Sequence, residues 1–245
     1  MNQHSIAIIK GKWTDEQRRM IWYLICRARA HLNVEVNPVV ATAFIILQHY
    51  FRNETDNDYE LFTLMVTALW SACKQNETFR TMQSVCKVLQ YICATHPSQI
   101  VRSIVFGQHP IQDSLSLSET RLITECEFSL LQAMNYDFMF ELPFTHFDAI
   151  KSLLFQDLSQ DIIPAFQKQT IIDICLMICS REYLNVPPEV IAAAATLDSF
   201  GKCPLPPSAS QWILDLQNKY GEESFNLALH ALCFEKSRTI GAHPS

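Results

Sequence analysis

Only five of the 245 residues are glycine, at positions 11, 107, 201, 221 and 241, and no two lie close together. Hairpins, bulges and phosphate-binding loops use glycine for positive φ or for close backbone approach. Its scarcity argues against a sheet-rich fold and a Gly-rich nucleotide motif, and points to helices joined by plain turns. Nine cysteines are present, but none forms a CxxC pair. Most sit among apolar residues, as reduced and buried thiols do, and not in the pattern of a small secreted disulfide frame. Cys175 and Cys179 stand one helical turn apart, yet no His or Cys pair lies near them in the sequence to complete a metal site. No metal or cofactor is expected. The longest uncharged run, residues 36–51, contains Pro, Asn, Gln and His, and the opening MNQHSIAIIKGKW lacks the apolar core of a signal peptide. The expectation is a soluble intracellular chain that does not enter a membrane. No nucleophile–base or paired-carboxylate constellation stands out, so nothing positive supports a helical enzyme.

The charge balance narrows the partners. A net charge of −6 disfavours a surface that tracks nucleic-acid phosphates. The charge is uneven: residues 1–30 carry six Lys/Arg against Asp15 and Glu16, which leaves the rest of the chain at −10. That basic start is open to two readings, a solvated helix face or a docking arm for an acidic partner. With 49% hydrophobic and 18% charged residues, the chain has ample apolar content to offset its conformational entropy and to fold throughout.

Periodicity then gives helices in two sets. TDEQRRMIWYLICRARAHL opens with Thr14 and Gln17 in capping-box spacing and is apolar at 21, 24, 25 and 28. Asn37 and Pro38 start NPVVATAFIILQHYF, apolar almost all round, as an enclosed helix is. ELFTLMVTALWSACK is a third helix of the same enclosed kind, and ETFRTMQSVCKVLQYICA is a more amphipathic fourth. After a polar loop from 95 to about 116 comes SETRLITECEFSLLQAMNYDF, which Ser118 is expected to cap. A link through Leu142 and Pro143 leads to a second set: FTHFDAIKSLLF, PAFQKQTIIDICLMICSREYL, PPEVIAAAATLDSF, SASQWILDLQNKY and EESFNLALHALCF. Two halves with one element order suggest an internal repeat, and laying LWSACK (69–74) over LDSFGK (197–202) keeps Leu, Ser and Lys in register. The expected fold is all-α: two tandem five-helix bundles, residues 1–140 with a short N-terminal extension and residues 141–245 with a short tail.

One detail of the third helix raises a functional question. The thirteen uncharged residues 61–73 end in Lys74, followed by Gln75, Asn76 and Glu77. A lysine there can simply meet exposed carbonyls and the helix dipole, for about 0.3–1 kcal/mol. Alternatively it is a binding residue. His49, on an otherwise apolar helix, reads as a hydrogen-bonded core or boundary histidine.

Two successive five-helix sets, the first with an enclosed third helix ending Ala72-Cys73-Lys74 and an acid soon after at Glu77, resemble the two cyclin boxes of the cyclin family. Glu127, seven residues before Met134-Asn135-Tyr136, matches the family's pattern on the fifth helix, and the alanines of PPEVIAAAATLDSF resemble the third helix of the second box. The likeness covers roughly residues 15–236. ACK, the Leu-Pro-Phe entry to the second set and the short extension lean toward transcriptional cyclins of the cyclin H and cyclin C kind. The resemblance implies a non-catalytic regulatory subunit that binds and activates a cyclin-dependent protein kinase as a heterodimer in the nucleus, with a third assembly subunit left open. It also implies that Lys74, Glu127 and Glu77 are kinase-binding, the lysine bonding backbone carbonyls beside the kinase's regulatory helix. The substrate-docking patch of cell-cycle cyclins is not reproduced: MIWYL (20–24) keeps its Met and Leu, but Arg27 stands at the Trp position and Phe62 at the Gln position. The alternative is a DNA-binding protein of the transcription factor IIB kind. It would need a basic surface and usually an N-terminal zinc ribbon, and neither is visible here.

Overall fold

The computed structural model describes residues 14–53, 59–99, 101–102, 114–137, 139–156, 158–201 and 205–240. Lys10 and Lys12 of the basic start, most of the 95–116 loop, Lys202 and Cys203 lie outside them. Among the described residues the chain is all-α, and it divides into two compact units, Met1–Phe140 and Glu141–Ser245.

The first unit holds α1 (Asp15–Leu32), α2 (Ala41–Asn53), α3 (Leu61–Gln75), α4 (Met82–Ala94) and α5 (Leu117–Ala133). Thr14 and Gln17 close a capping box on α1: the Thr14 amide donates to Gln17 Oε1 at 2.9 Å and the Gln17 amide to Thr14 Oγ1 at 3.2 Å. A helical turn, Val36–Val40, precedes α2. Within it Asn37 is extended (φ −106°, ψ 117°), so continuous helical geometry begins at Pro38. Helix α3 packs on α1, α2, α4 and α5, which explains why its sequence shows so narrow a polar stripe. Leu64, Met65, Val66, Ala68, Leu69, Ala72 and Cys73 are all fully buried.

Two boundaries differ from the sequence reading. The cap of α5 is Ser116, not Ser118. Ser116 Oγ accepts from the Glu119 amide at 3.2 Å, and the Glu119 carboxylate accepts from the Ser116 amide at 2.7 Å. Ser-x-x-Glu supplies both halves of a capping box, whereas Ser118 has Arg121 three residues on and can supply only one. Likewise α4 starts at Met82, capped by Thr81, because residues 76–78 are consumed in ending α3.

The second unit holds α6 (Pro143–Gln156), α7 (Ile163–Cys179), a single turn at Tyr183–Asn185, α8 (Pro188–Phe200), α9 (Pro207–Tyr220) and α10 (Glu222–Ile240). Here again the third helix is central: α8 packs on α6, α7, α9 and α10. Ala192, Ala193, Ala194 and Ala195 are all fully buried, and side chains this small let four helices approach one axis. Asp173 of α7 is also fully buried. It accepts from Lys236 Nζ of α10 at 2.8 Å, from Gln169 Nε2 at 2.8 Å and from Ser199 Oγ of α8 at 3.2 Å, while Lys236 also meets Asp198. This charged group therefore ties three helices together through paired, hydrogen-bonded contacts.

Candidate functional site

The site is assembled at the C-terminal end of α3. The helix stops in a Schellman motif: the Glu77 amide donates to the Lys74 carbonyl at 3.2 Å and the Thr78 amide to the Cys73 carbonyl at 2.9 Å, with Glu77 left-handed at φ 52°. Glycine normally takes that position, so Glu77 carries a conformational cost there. Its side chain points into the open, and the structure gives it no ion-pair partner among the described residues.

Arg80 fixes the chain that follows. Its guanidinium donates to the Leu32 carbonyl at 2.5 Å, the Asn33 carbonyl at 2.6 Å and the Phe79 carbonyl at 2.6 Å. A cation thus satisfies carbonyls at the end of α1 while anchoring the α3–α4 connection. The same connection holds Phe79 out with 83% of its surface exposed. Trp70, Lys74, Glu77, Phe79, Arg80 and Met82 line an open groove of about 440 Å³.

Helix α5 brings the acid. Three contacts hold α5 in place: Asn53 Nδ2 donates to the Ala133 carbonyl at 2.6 Å, the Tyr59 and Ser129 hydroxyls meet at 3.2 Å, and Ser71 Oγ donates to Glu127 Oε1 at 2.5 Å. Lys74 Nζ then lies 2.5 Å from Glu127 Oε1 and 2.6 Å from Oε2. It also sits 3.6 Å from the centre of the Trp70 ring, one helical turn earlier on α3. The pair is lopsided in exposure, with the lysine side chain 45% and the carboxylate 14% accessible. Behind it, burial pushes the thiols of Cys73 and Cys126 up to about 11, and they do not ionise near neutrality.

The structure therefore brings Lys74 and Glu127 together across 53 residues of sequence and leaves the Glu77 carboxylate on the same helix end but outside the pair. Trp70, Ser71, Phe79 and Arg80 belong to the site and were not singled out in the sequence. Trp70 could have been, since a residue four before a lysine shares its helix face. Ser71 and Arg80 could not, because their partners lie 56 and 48 residues away.

The other candidates resolve simply. His49 is half-buried and stacked on Phe140 at 5.7 Å; burial first, and the neighbouring Arg52 second, lower its pKa, and Asp137 opposes them. At the position expected to differ from a substrate-docking patch, Arg27 donates to the Tyr23 hydroxyl at 3.0 Å. Among the described residues no group of three His, Cys, Asp or Glu side chains gathers where a metal could be held, and no helix is long and apolar enough to cross a membrane.

The sequence matches no protein-family model and no curated protein. Its fold is that of tandem helical bundles of the cyclin type. Among solved structures the chain is similar to one in the yeast RNA polymerase II CTD kinase CTDK-1 complex, with a TM-score of 0.57 and 12% identity, over 94% of this chain and 76% of that one. It is also similar to a chain of the CAK complex of Chaetomium thermophilum bound to ATP-γ-S, with a TM-score of 0.58 and 15% identity, over 99% and 69% respectively.

Proposed function

We propose that this chain is a cyclin-like regulatory subunit that binds a cyclin-dependent protein kinase and activates it. The observation that carries this reading is the Lys74–Glu127 pair: an ammonium half open to solvent at the end of the central helix, backed by a mostly buried carboxylate. An ammonium offers three donors on a long stem, suited to backbone carbonyls of a partner, and a carboxylate behind it offsets part of the desolvation when the partner covers it. Catalysis by this chain is not required. A protein kinase is inactive while its regulatory helix is misplaced, because the glutamate of that helix must pair with the ATP-orienting lysine. A subunit that binds the helix-in state better shifts the population toward it, which is allosteric activation.

The finer reading is a transcription-linked kinase in the nucleus. Its support is the ACK ending of α3, the Leu-Pro-Phe entry to the second unit, and the fact that one similar structure is itself a complex of an RNA polymerase II CTD kinase. Affinity purification of the tagged full-length chain from its native cell, followed by mass spectrometry, tests the proposal. Stoichiometric recovery of a protein kinase is expected. Recovery without any kinase, or salt-sensitive binding to duplex DNA at physiological ionic strength in its place, overturns it.

A further inference from the structure

We propose that Trp70 and Ser71 are positioning residues that hold Lys74 in its partner-binding place before any partner arrives. The inference rests on the kinase-binding reading above and concerns how that same site works.

A lysine on an open helix end samples many rotamers, and a partner that requires one of them must restrict the rest on binding. Lys74 is already restricted in the free chain. Its ammonium touches both oxygens of Glu127 on one side and the face of the Trp70 indole on another. Glu127 is itself fixed by the Ser71 hydroxyl, which is buried beneath the pair. Helical geometry makes this a single unit: residues 70 and 74 lie one above the other on α3, and residue 71 faces the same neighbour, three residues before the lysine. Two sides of the ammonium are therefore walled, and the remaining side is open, as the half-exposed side chain shows. A carbonyl arriving from solvent meets a donor already in place. A cation needed only to cap α3 would gain nothing from an aromatic wall and a buried hydroxyl behind its counter-ion, since the helix dipole acts without regard to rotamer.

The test has two arms. In the free chain, NMR should find the Lys74 ε-methylene protons upfield of those of the other lysines, shifted by the Trp70 ring current, and Trp70→Leu should return them to the ordinary lysine position. An unshifted Lys74 in the wild-type chain overturns the proposal with no kinase needed. The second arm measures the dissociation constant of the co-purified kinase for the full chain. Trp70→Leu should weaken binding roughly 3- to 10-fold, the size of a cation–π contact and its ordering effect, while Trp70→Phe stays within about twofold of wild type. In a Lys74→Ala background the same Trp70→Leu change should alter affinity by less than about twofold, because Trp70 acts through the lysine. Equal losses in both backgrounds would mean that Trp70 only packs or contacts the kinase directly, and would overturn the proposal. Should Lys74→Ala itself leave kinase affinity unchanged, the kinase-binding reading fails instead, so the two failures are separable. Melting temperatures of all variants confirm that affinity is compared among folded chains.

Discussion

Replacing Lys236 by methionine should strip the second unit of its internal brace. Methionine keeps most of the apolar stem, so packing changes little and the loss is electrostatic. What remains is Asp173, fully buried, still bonded to Gln169 and Ser199 but without its cation. Removing one partner of a buried pair typically costs about 3–5 kcal/mol. The lower end applies here because Lys236 retains 27% exposure and water can enter where it stood. Against a usual domain stability of about 5–15 kcal/mol this is a large fraction. The pH dependence follows from the direction of the Asp173 shift. Burial raises its carboxyl pKa above the ordinary 3.8, and Lys236 opposes the rise. A raised carboxyl pKa means that the folded state binds the proton more tightly. The stability contributed by this group is therefore greatest below 3.8 and is lost as pH climbs through the window above it. Without Lys236 the pKa rises further, so the deficit of Lys236→Met should be full at pH 7.5 and visibly smaller at pH 5. Urea unfolding of both chains at the two pH values, with unchanged slopes, reads this directly. The double variant Asp173→Asn/Lys236→Met should recover much of the loss. A deficit under about 1 kcal/mol at pH 7.5, or one independent of pH, would refute the reasoning.

Three further outcomes are expected. Glu77→Gly should stabilise the first unit by up to about 1 kcal/mol, because glycine adopts the left-handed C′ position freely, and a higher melting temperature is the readout; a fall would show that the Glu77 side chain matters to the fold. Phe79→Ala should leave stability within about 0.5 kcal/mol of wild type, since the ring is exposed, and yet weaken kinase binding at least tenfold, the behaviour of an exposed aromatic anchor; calorimetry and a binding titration separate the two. Alkylation with iodoacetamide at pH 8 followed by peptide mapping should modify exposed Cys233 first among the described cysteines. Cys26 and Cys93, pushed up to about 12 by burial, and Cys73, Cys86 and Cys126, raised to about 11, should react only on unfolding.

Most of the architecture was legible because it is written in local pattern. Scarce glycine, apolar periodicity and cap residues such as Thr14 mark ten helices in two sets, and the enclosed stretch around Val66 and the alanine run around Ala193 are the two central helices. The α5 cap lies two residues before Ser118, and Ser116-Leu117-Ser118-Glu119 spells its capping box in the sequence itself. The site was legible only in part. Lys74 stands out by ending an uncharged run, Glu127 and the kinase-binding role come only from a family resemblance, and nothing in their spacing says that the two meet. The contacts that shape the pair, Ser71 to Glu127 and Arg80 to the end of α1, are tertiary, and no helical or strand period encodes a partner 48 or 56 residues away. The register LWSACK over LDSFGK aligned Ser71 with Ser199. Both serines do donate to a carboxylate, but one carboxylate sits beneath a half-exposed lysine and the other lies within a core, a difference of burial that sequence matching cannot see.

The central claim is tested most directly by measuring, for Lys74→Ala and Glu127→Ala, both the melting temperature of the free chain and the dissociation constant for the kinase recovered with it. Lys74→Ala gives up a half-exposed ion pair, a cation–π contact and a helix-end charge, together about 1–2 kcal/mol of stability and a drop of a few degrees. If the pair lies within a kinase interface, its loss should cost about 2–5 kcal/mol of affinity, or roughly 30- to 4,000-fold. A folded Lys74→Ala chain that binds the kinase within about threefold of wild type would contradict the account.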